Sequence, residues 1–219
     1  MKPISSWSGL IYPDEYVTRF FFKFGLDRSP GRVLELGSGV GNNLALFRGF
    51  GWSVVGMDND ALSLERAGEN LQSSADPECE FMFRDIEATN IGDLGAFDCV
   101  MAPNLACYLS PSRFISVLEE CASLLKPGGA FFLKTRLVDD WRAGRGPAVA
   151  TNSYVLTTDV TGESGATMTL YERDELAALV DEHLGLLDDR AVMRTSYENV
   201  QSGELIDNHD AVIWGRSKR

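Results

Sequence analysis

The stretch VLELGSGVGNN, residues 33–43, limits the possible folds more than any other part of the chain. Residues 33–36 are an apolar run interrupted only by Glu35, which reads as a buried strand. Glycines at alternate positions, Gly37, Gly39 and Gly41, then break it, and residues 42–50 read as a short helix. A strand, a glycine loop and a helix in succession form the opening of a parallel α/β unit whose backbone comes close to a ligand. The rhythm continues. Strands are predicted at 52–57, 79–83, 97–102 and 130–135. A helix with Leu64, Ala67 and Leu71 on one face is predicted at 60–71. Another starts at Ser110 and Pro111, carries Phe114, Val117, Leu118, Cys121 and Leu125 on one face, and ends at KPGG, 126–129. Strands alternating with helices predict a doubly wound, mostly parallel sheet with helices on both faces.

Before this core, residues 13–24 place Val17, Phe20, Phe21 and Phe24 on one helical face, and 27–31 form a turn. After it, from about Arg136 to Met168, the rhythm fails in a stretch rich in Gly, Ala and Thr with two short strands. A helix follows at 171–184, stopped by Gly185. Two last strands, 191–197 and 211–214, are joined by 198–210 as an antiparallel edge pair. One domain, 1–219, is expected: a leading lid segment (1–30), a ligand-binding core (31–135), a substrate-side insertion (136–170) and a final helix with a strand hairpin (171–219).

Which ligand the glycine loop holds depends on its neighbours. A dinucleotide site wants G-x-G-x-x-G, and Asn42 stands where the third glycine belongs. The G-K-[ST] of a phosphate loop is absent. Glu35 lies two residues before Gly37, where a pyrophosphate would meet like charge but an ammonium or sulfonium group would not. The helix N-terminus beyond the loop suits a carboxylate. Asp58 follows the second strand, about 20 residues on, where an acid chelates ribose hydroxyls. Asp85, after the third strand, suits an exocyclic amine such as adenine's. An adenosine ligand with an amino-acid tail fits this set.

Five stretches together, VLELGSGVG, VVGMDND, FRDIE, FDCVMAPN and LLKPGGAFFLKT, resemble the class I S-adenosylmethionine-dependent methyltransferases, nearest to the small-molecule group, over roughly residues 31–135. The resemblance implies a seven-stranded sheet with an antiparallel terminal hairpin. It also implies S-adenosylmethionine as methyl donor and S-adenosylhomocysteine as product. In it Gly37, Ser38 and Gly39, in the loop that Gly41 closes, approach the methionine part, with Glu35 supporting that end. Asp58 holds the ribose and Asn59 lies beside the adenine, whose edge Asp85 and the Ile86 backbone read. Ala102, Pro103 and Asn104 lie beside the reacting centre. A preceding helix in such enzymes offers a basic residue to the cofactor carboxylate. Arg19 is the candidate here, with Trp7 and Tyr12 as lid aromatics.

A sulfonium methyl is already activated, so the enzyme has mainly to align an acceptor and exclude water. A base is needed only where the nucleophile must lose a proton. Tyr108, after the fourth strand, and His209, before the last, are the candidates; His183 reads as structural. Lys134, Arg136, Arg142 and Arg145 gather after the fifth strand of an acidic chain. Arg142 and Arg145 are expected to meet a carboxylate or phosphate on the acceptor. The insertion has no His, Cys or acid cluster, so no catalytic metal is expected.

The net charge of −12 argues against general nucleic-acid binding. No apolar stretch is long enough to span a membrane. The first residues lack a signal peptide's apolar core, and four cysteines stand without CxxC pairing, so a cytoplasmic location is expected. Other readings stay open at this point: an NAD-dependent dehydrogenase, an aminopropyl transferase, a protein-directed methyltransferase, or a non-catalytic S-adenosylmethionine-binding protein. The acceptor atom and the oligomeric state are open too.

Overall fold

The computed structural model describes residues 7, 9–71 and 79–218. In chain order the elements are α1 (Glu15–Lys23), β1 (Arg32–Leu36), α2 (Asn42–Gly49), β2 (Ser53–Asp58), α3 (Ala61–Leu71), β3 (Cys79–Phe83) and β4 (Phe97–Pro103). A 3-10 turn (Ala106–Tyr108) leads to α4 (Pro111–Leu124) and β5 (Leu125–Arg136). The insertion contributes β6 (Ala148–Ala150), β7 (Ser153–Val155) and β8 (Thr167–Thr169). Then come α5 (Arg173–His183), β9 (Ala191–Gln201) and β10 (Glu204–Arg216).

β1 is apolar on both faces because it runs in the middle of the sheet, parallel to β2 on one side and β4 on the other. The full order is β3-β2-β1-β4-β5-β10-β9, with β10 antiparallel to both its neighbours. Alternate residues of each strand enter opposite cores. Leu34, Val100, Phe131 and Ile213 meet α4 and α5 through Phe114, Leu118 and Val180. Val33, Cys99, Phe132 and Trp214 meet Val17, Phe20 and Phe21 of α1 and Leu44 and Phe47 of α2. The chain leaves β1 toward β2 and later returns to β4 on its other side. That reversal opens a crevice at the carboxyl ends of these strands.

Three predicted boundaries move. β5 begins at Leu125, so KPGG lies inside the strand; the register slips between Phe97 and Cys99 of β4, and Gly128 takes φ +71°. The expected connection 198–210 is mostly strand. β9 and β10 pair without a break from Trp214↔Ala191 to Glu204↔Gln201, and the turn is only Ser202 and Gly203, both left-handed (φ 51° and 82°). This outer ribbon is largely exposed, so the apolar alternation that betrays a half-buried strand is missing from it. The insertion forms its own antiparallel sheet, β6-β7-β8, packed through Leu156, Met168 and Leu170 on Cys107 of the 3-10 turn. Among the described residues, no helix is long and apolar enough to cross a membrane.

Candidate active site

A cavity of about 860 Å³ fills the crevice. Its floor is the glycine loop. The Gly37 and Ser38 amides both donate to the Met57 carbonyl, at 2.8 and 2.9 Å, folding the loop back onto β2. This path needs φ of +71° at Gly37 and +50° at Gly39, a region that side chains other than glycine's resist. Gly41 starts α2 at φ +81°, and a Cβ there would stand 2.8 Å from Leu71. The Gly39 amide donates to Asp58 Oδ2 at 2.8 Å, and the Asp60 amide to Oδ1 at 2.9 Å. Asp58 is thus fixed at the end of β2, and each carboxylate oxygen keeps lone-pair capacity for a diol. Asn59, Ser63, Asp85 and Ile86 line the same end. Asp85 Oδ1 accepts from the Glu87 amide at 3.1 Å.

The end of β1 carries Glu35, 0% exposed. Its Oε1 accepts from Asn43 Nδ2 at 2.6 Å, while Oε2 is buried with no partner. Burial pushes this carboxyl up to about 8; Asn43 opposes that shift, and the charges of Asp58 and Asp14 add to it. Asn43 cannot turn away, because its own oxygen accepts from the Asp14 amide at 2.8 Å. Asp14 is the N-cap of α1, accepting from the Tyr16 amide, and its Oδ2 accepts from Lys134 Nζ at 2.8 Å. A buried carboxyl with one unpartnered oxygen beside a cavity is suited to a positive group.

The structure brings Glu35, Gly37, Ser38, Gly39, Asp58, Asn59, Asp85, Ile86, Asn104 and Tyr108 to one cavity, with Pro103 and Tyr12. Gly41 and Ala102 stand behind its wall, Gly41 against α3 and Ala102 in the core under β4. Arg19 is placed elsewhere. α1 turns Val17, Phe20 and Phe21 inward, which leaves Arg19 exposed with its guanidinium 5.4 Å from the Tyr16 ring centre. Trp7 packs with the α1–α2 core.

The basic group after β5 is also placed away from the cavity. Arg142 is 5% exposed and donates to Asp140 Oδ1 at 3.0 Å and Glu163 Oε2 at 2.6 Å. Arg145 stacks 3.7 Å from the Trp141 ring centre and donates to the Trp141 carbonyl. Arg136 pairs with Asp210 at 2.6 Å. These cations are satisfied within the chain, Arg142 and Arg136 by acids that include the distant Glu163 and Asp210, and Arg145 by Trp141. His209 lies in the β9–β10 ribbon. Its Nε2 is 2.9 Å from Asp207, and Arg194 bridges to it and to Asp139. It is not part of the cavity wall. The Tyr108 hydroxyl donates to Glu163 Oε1 at 2.6 Å, and burial, chiefly, drives its pKa well above the ordinary phenol value. Among the described residues, no three His, Cys, Asp or Glu side chains gather to hold a metal ion.

Residues 33–129 match the family model of the methyltransferase domain. No curated protein matches the chain by sequence. Among solved structures it is similar to a SAM-dependent methyltransferase of Methanosarcina mazei, with TM-score 0.65 and 16% identity over 93% of this chain and 98% of that one. It is similar also to the 1,6-didemethyltoxoflavin-N1-methyltransferase of Burkholderia thailandensis, solved with its substrate and S-adenosylhomocysteine, with TM-score 0.62 and 17% identity over 93% and 76%. A third likeness is to the N-methyltransferase NodS of Bradyrhizobium japonicum, with TM-score 0.57 and 13% identity over 94% and 87%. Residues 33–129 thus carry a methyltransferase-domain match, and the seven-stranded order is the fold shared with these S-adenosylmethionine-dependent methyltransferases.

Proposed function

We propose that the enzyme transfers the methyl group to a small-molecule acceptor by in-line displacement. The observation that carries the reading is a set of acids in one cavity: buried Glu35 with an unpartnered oxygen at the end of β1, Asp58 fixed at the end of β2, and Asp85 after β3. That spacing of negative groups suits an ammonium, a ribose diol and an exocyclic amine on one ligand. A pyrophosphate would meet Glu35 and Asp58 as like charges.

When bound, S-adenosylmethionine supplies a methyl group already activated on sulfur. The chain's residues do the rest. Glu35, oriented by Asn43, takes the ammonium. Asp58 accepts from the ribose hydroxyls, and Asp85 with the Ile86 backbone reads the adenine. Pro103, Asn104 and Tyr108 form the acceptor side, with Leu105, Leu109 and Leu10 giving it apolar walls. Catalysis by alignment and exclusion of water follows. Tyr108 does not serve as the base, since its proton is donated to Glu163. The small acceptor is supported by the cavity's volume and by the small-molecule substrate of the toxoflavin-type neighbour. A cytoplasmic setting belongs to the same proposal, supported by four cysteines in the thiol form.

Calorimetric titration with S-adenosylmethionine, S-adenosylhomocysteine and NAD tests the cofactor assignment. Micromolar-range binding of the first two is expected, weakened about 10- to 100-fold in Asp58→Ala, the usual cost of losing hydrogen bonds to a charged group. Binding of NAD alone would overturn it.

A further inference from the structure

Tyr108 stands on the acceptor side of the cavity, in the 3-10 turn after β4. Its hydroxyl is not free to choose a partner. Glu163, carried by the insertion, accepts its proton on Oε1 at 2.6 Å and accepts from Arg142 Nε on Oε2 at 2.6 Å. Arg142 is buried and anchored in turn by Asp140. Burial alone would make Glu163 harder to ionise, but its hydrogen bonds, those of Tyr108 and Arg142 among them, hold the carboxyl below its ordinary range. An ionised carboxylate can only accept, so the single phenol proton is committed to it. What Tyr108 has left for a ligand is oxygen lone pairs.

The rest of the cavity carries the same sign. Asp14, Glu35, Asp58, Asp85 and Glu87 line it. Arg84, the one guanidinium among its described lining residues, donates through Nη1 to the carbonyls of Asn90 and Ile91 at 2.7 and 2.9 Å. Beside Tyr108, an incoming carboxylate or phosphate would meet oxygen lone pairs in the field of these acids. An amine or hydroxyl would meet a fixed lone pair.

Resting on the methyl-transfer reading, we infer that the acceptor presents an N–H or O–H donor to Tyr108, which Glu163 holds in its accepting state, and that carboxylate-bearing acceptors are rejected. This replaces the anionic acceptor expected from Arg142 and Arg145. The geometry serves the chemistry. An amine that gives an N–H to Tyr108 keeps its lone pair for the methyl carbon. The N–C bond forms as the S–C bond breaks, sulfur keeps the electron pair, and the surplus proton on nitrogen passes to solvent. For a hydroxyl acceptor the O–C bond forms as the O–H proton is lost to water and the S–C bond breaks, sulfur again keeping the electron pair. Glu163 is a positioning residue in this scheme, acting through Tyr108.

The test presents the full chain and S-adenosylmethionine with matched triads that carry an amine, a hydroxyl or a carboxylate on one body, such as phenethylamine, phenethyl alcohol and hydrocinnamate. Release of S-adenosylhomocysteine is measured. Turnover is expected among the amines or hydroxyls, with kcat/KM roughly tenfold or more above that of the carboxylates. Tyr108→Phe raises the acceptor KM about tenfold, the worth of one hydrogen bond, and leaves the S-adenosylhomocysteine Kd unchanged. Glu163→Ala returns the phenol proton to the cavity and narrows the preference for donors over carboxylates. A merely structural loss would lower all three classes alike. Equal or better turnover of carboxylates, an unmoved preference in Glu163→Ala, or inert triads in a chain that binds S-adenosylhomocysteine would overturn the inference. Failure of the native chain to bind S-adenosylhomocysteine would instead sink the methyl-transfer reading beneath it.

Discussion

Two regions of this enzyme bury charge in opposite ways. At the carboxyl end of β5, beside Asp210 of β10, Lys134, Arg136 and Arg142 are buried or nearly so, and each faces an acid: Asp14 and Asp210, Asp210 again, and Asp140 with Glu163. At the end of β1, Glu35 is buried against an amide and no cation, and one of its oxygens is left open. Paired buried ions hold structure together but add little net stability. An unpaired one beside a cavity costs stability, and such costs cluster at functional sites, which is why a ligand is proposed there. Charge content alone would have chosen the basic loop as the ligand site, and pairing chooses the acidic loop.

The largest expected effect breaks the paired side. Asp210→Ala leaves Lys134 and Arg136 buried without their shared acid, and a loss of about 3–5 kcal/mol in unfolding free energy follows from that mechanism. Urea denaturation reads it directly. Glu35→Gln, by contrast, removes a carboxyl that burial forces to hold its proton, so the same assay should show no such loss. A similar loss in both variants would erase the distinction between the regions.

A smaller effect sharpens it. Asn43→Leu removes the amide that aims Glu35 and receives the Asp14 amide. Binding of S-adenosylhomocysteine should weaken about tenfold, the scale of one buried hydrogen bond. Binding of 5′-methylthioadenosine, which lacks the ammonium, should stay within a few-fold of the native value. Equal losses for both ligands would show that Asn43 only supports the fold.

Legibility in the sequence followed the same division. The alternation of strands and helices, the glycine loop and the acids at Glu35, Asp58 and Asp85 were readable, because each depends on residues close together in the chain. Asn43, Asp14 and Glu163 were not. Lys134 meets Asp14 across 120 positions, and Tyr108 meets Glu163 across 55, so no local pattern announces either pair. Asp14 does carry a helix-capping signal, before Glu15 and the apolar face of α1, but nothing local shows its second role beside the cavity. Arg19 misled because helical periodicity names the buried face without saying what lies across from the other one. His209 misled because the exposed ribbon that carries it reads as a loop.

The central claim is that Glu35 is the receptor for the ligand's ammonium, and its pH dependence tests that most directly. Burial raises this carboxyl to about 8, so below that pH the empty site is mostly protonated and must lose its proton to receive the ammonium. Linkage then makes binding tighter as pH rises, with proton release on binding, until the carboxyl is fully ionised. Calorimetric titration of S-adenosylhomocysteine from about pH 6 to about pH 8 should show affinity climbing by up to tenfold per pH unit in the native chain and nearly flat in Glu35→Gln. A native profile as flat as the variant's would contradict the account.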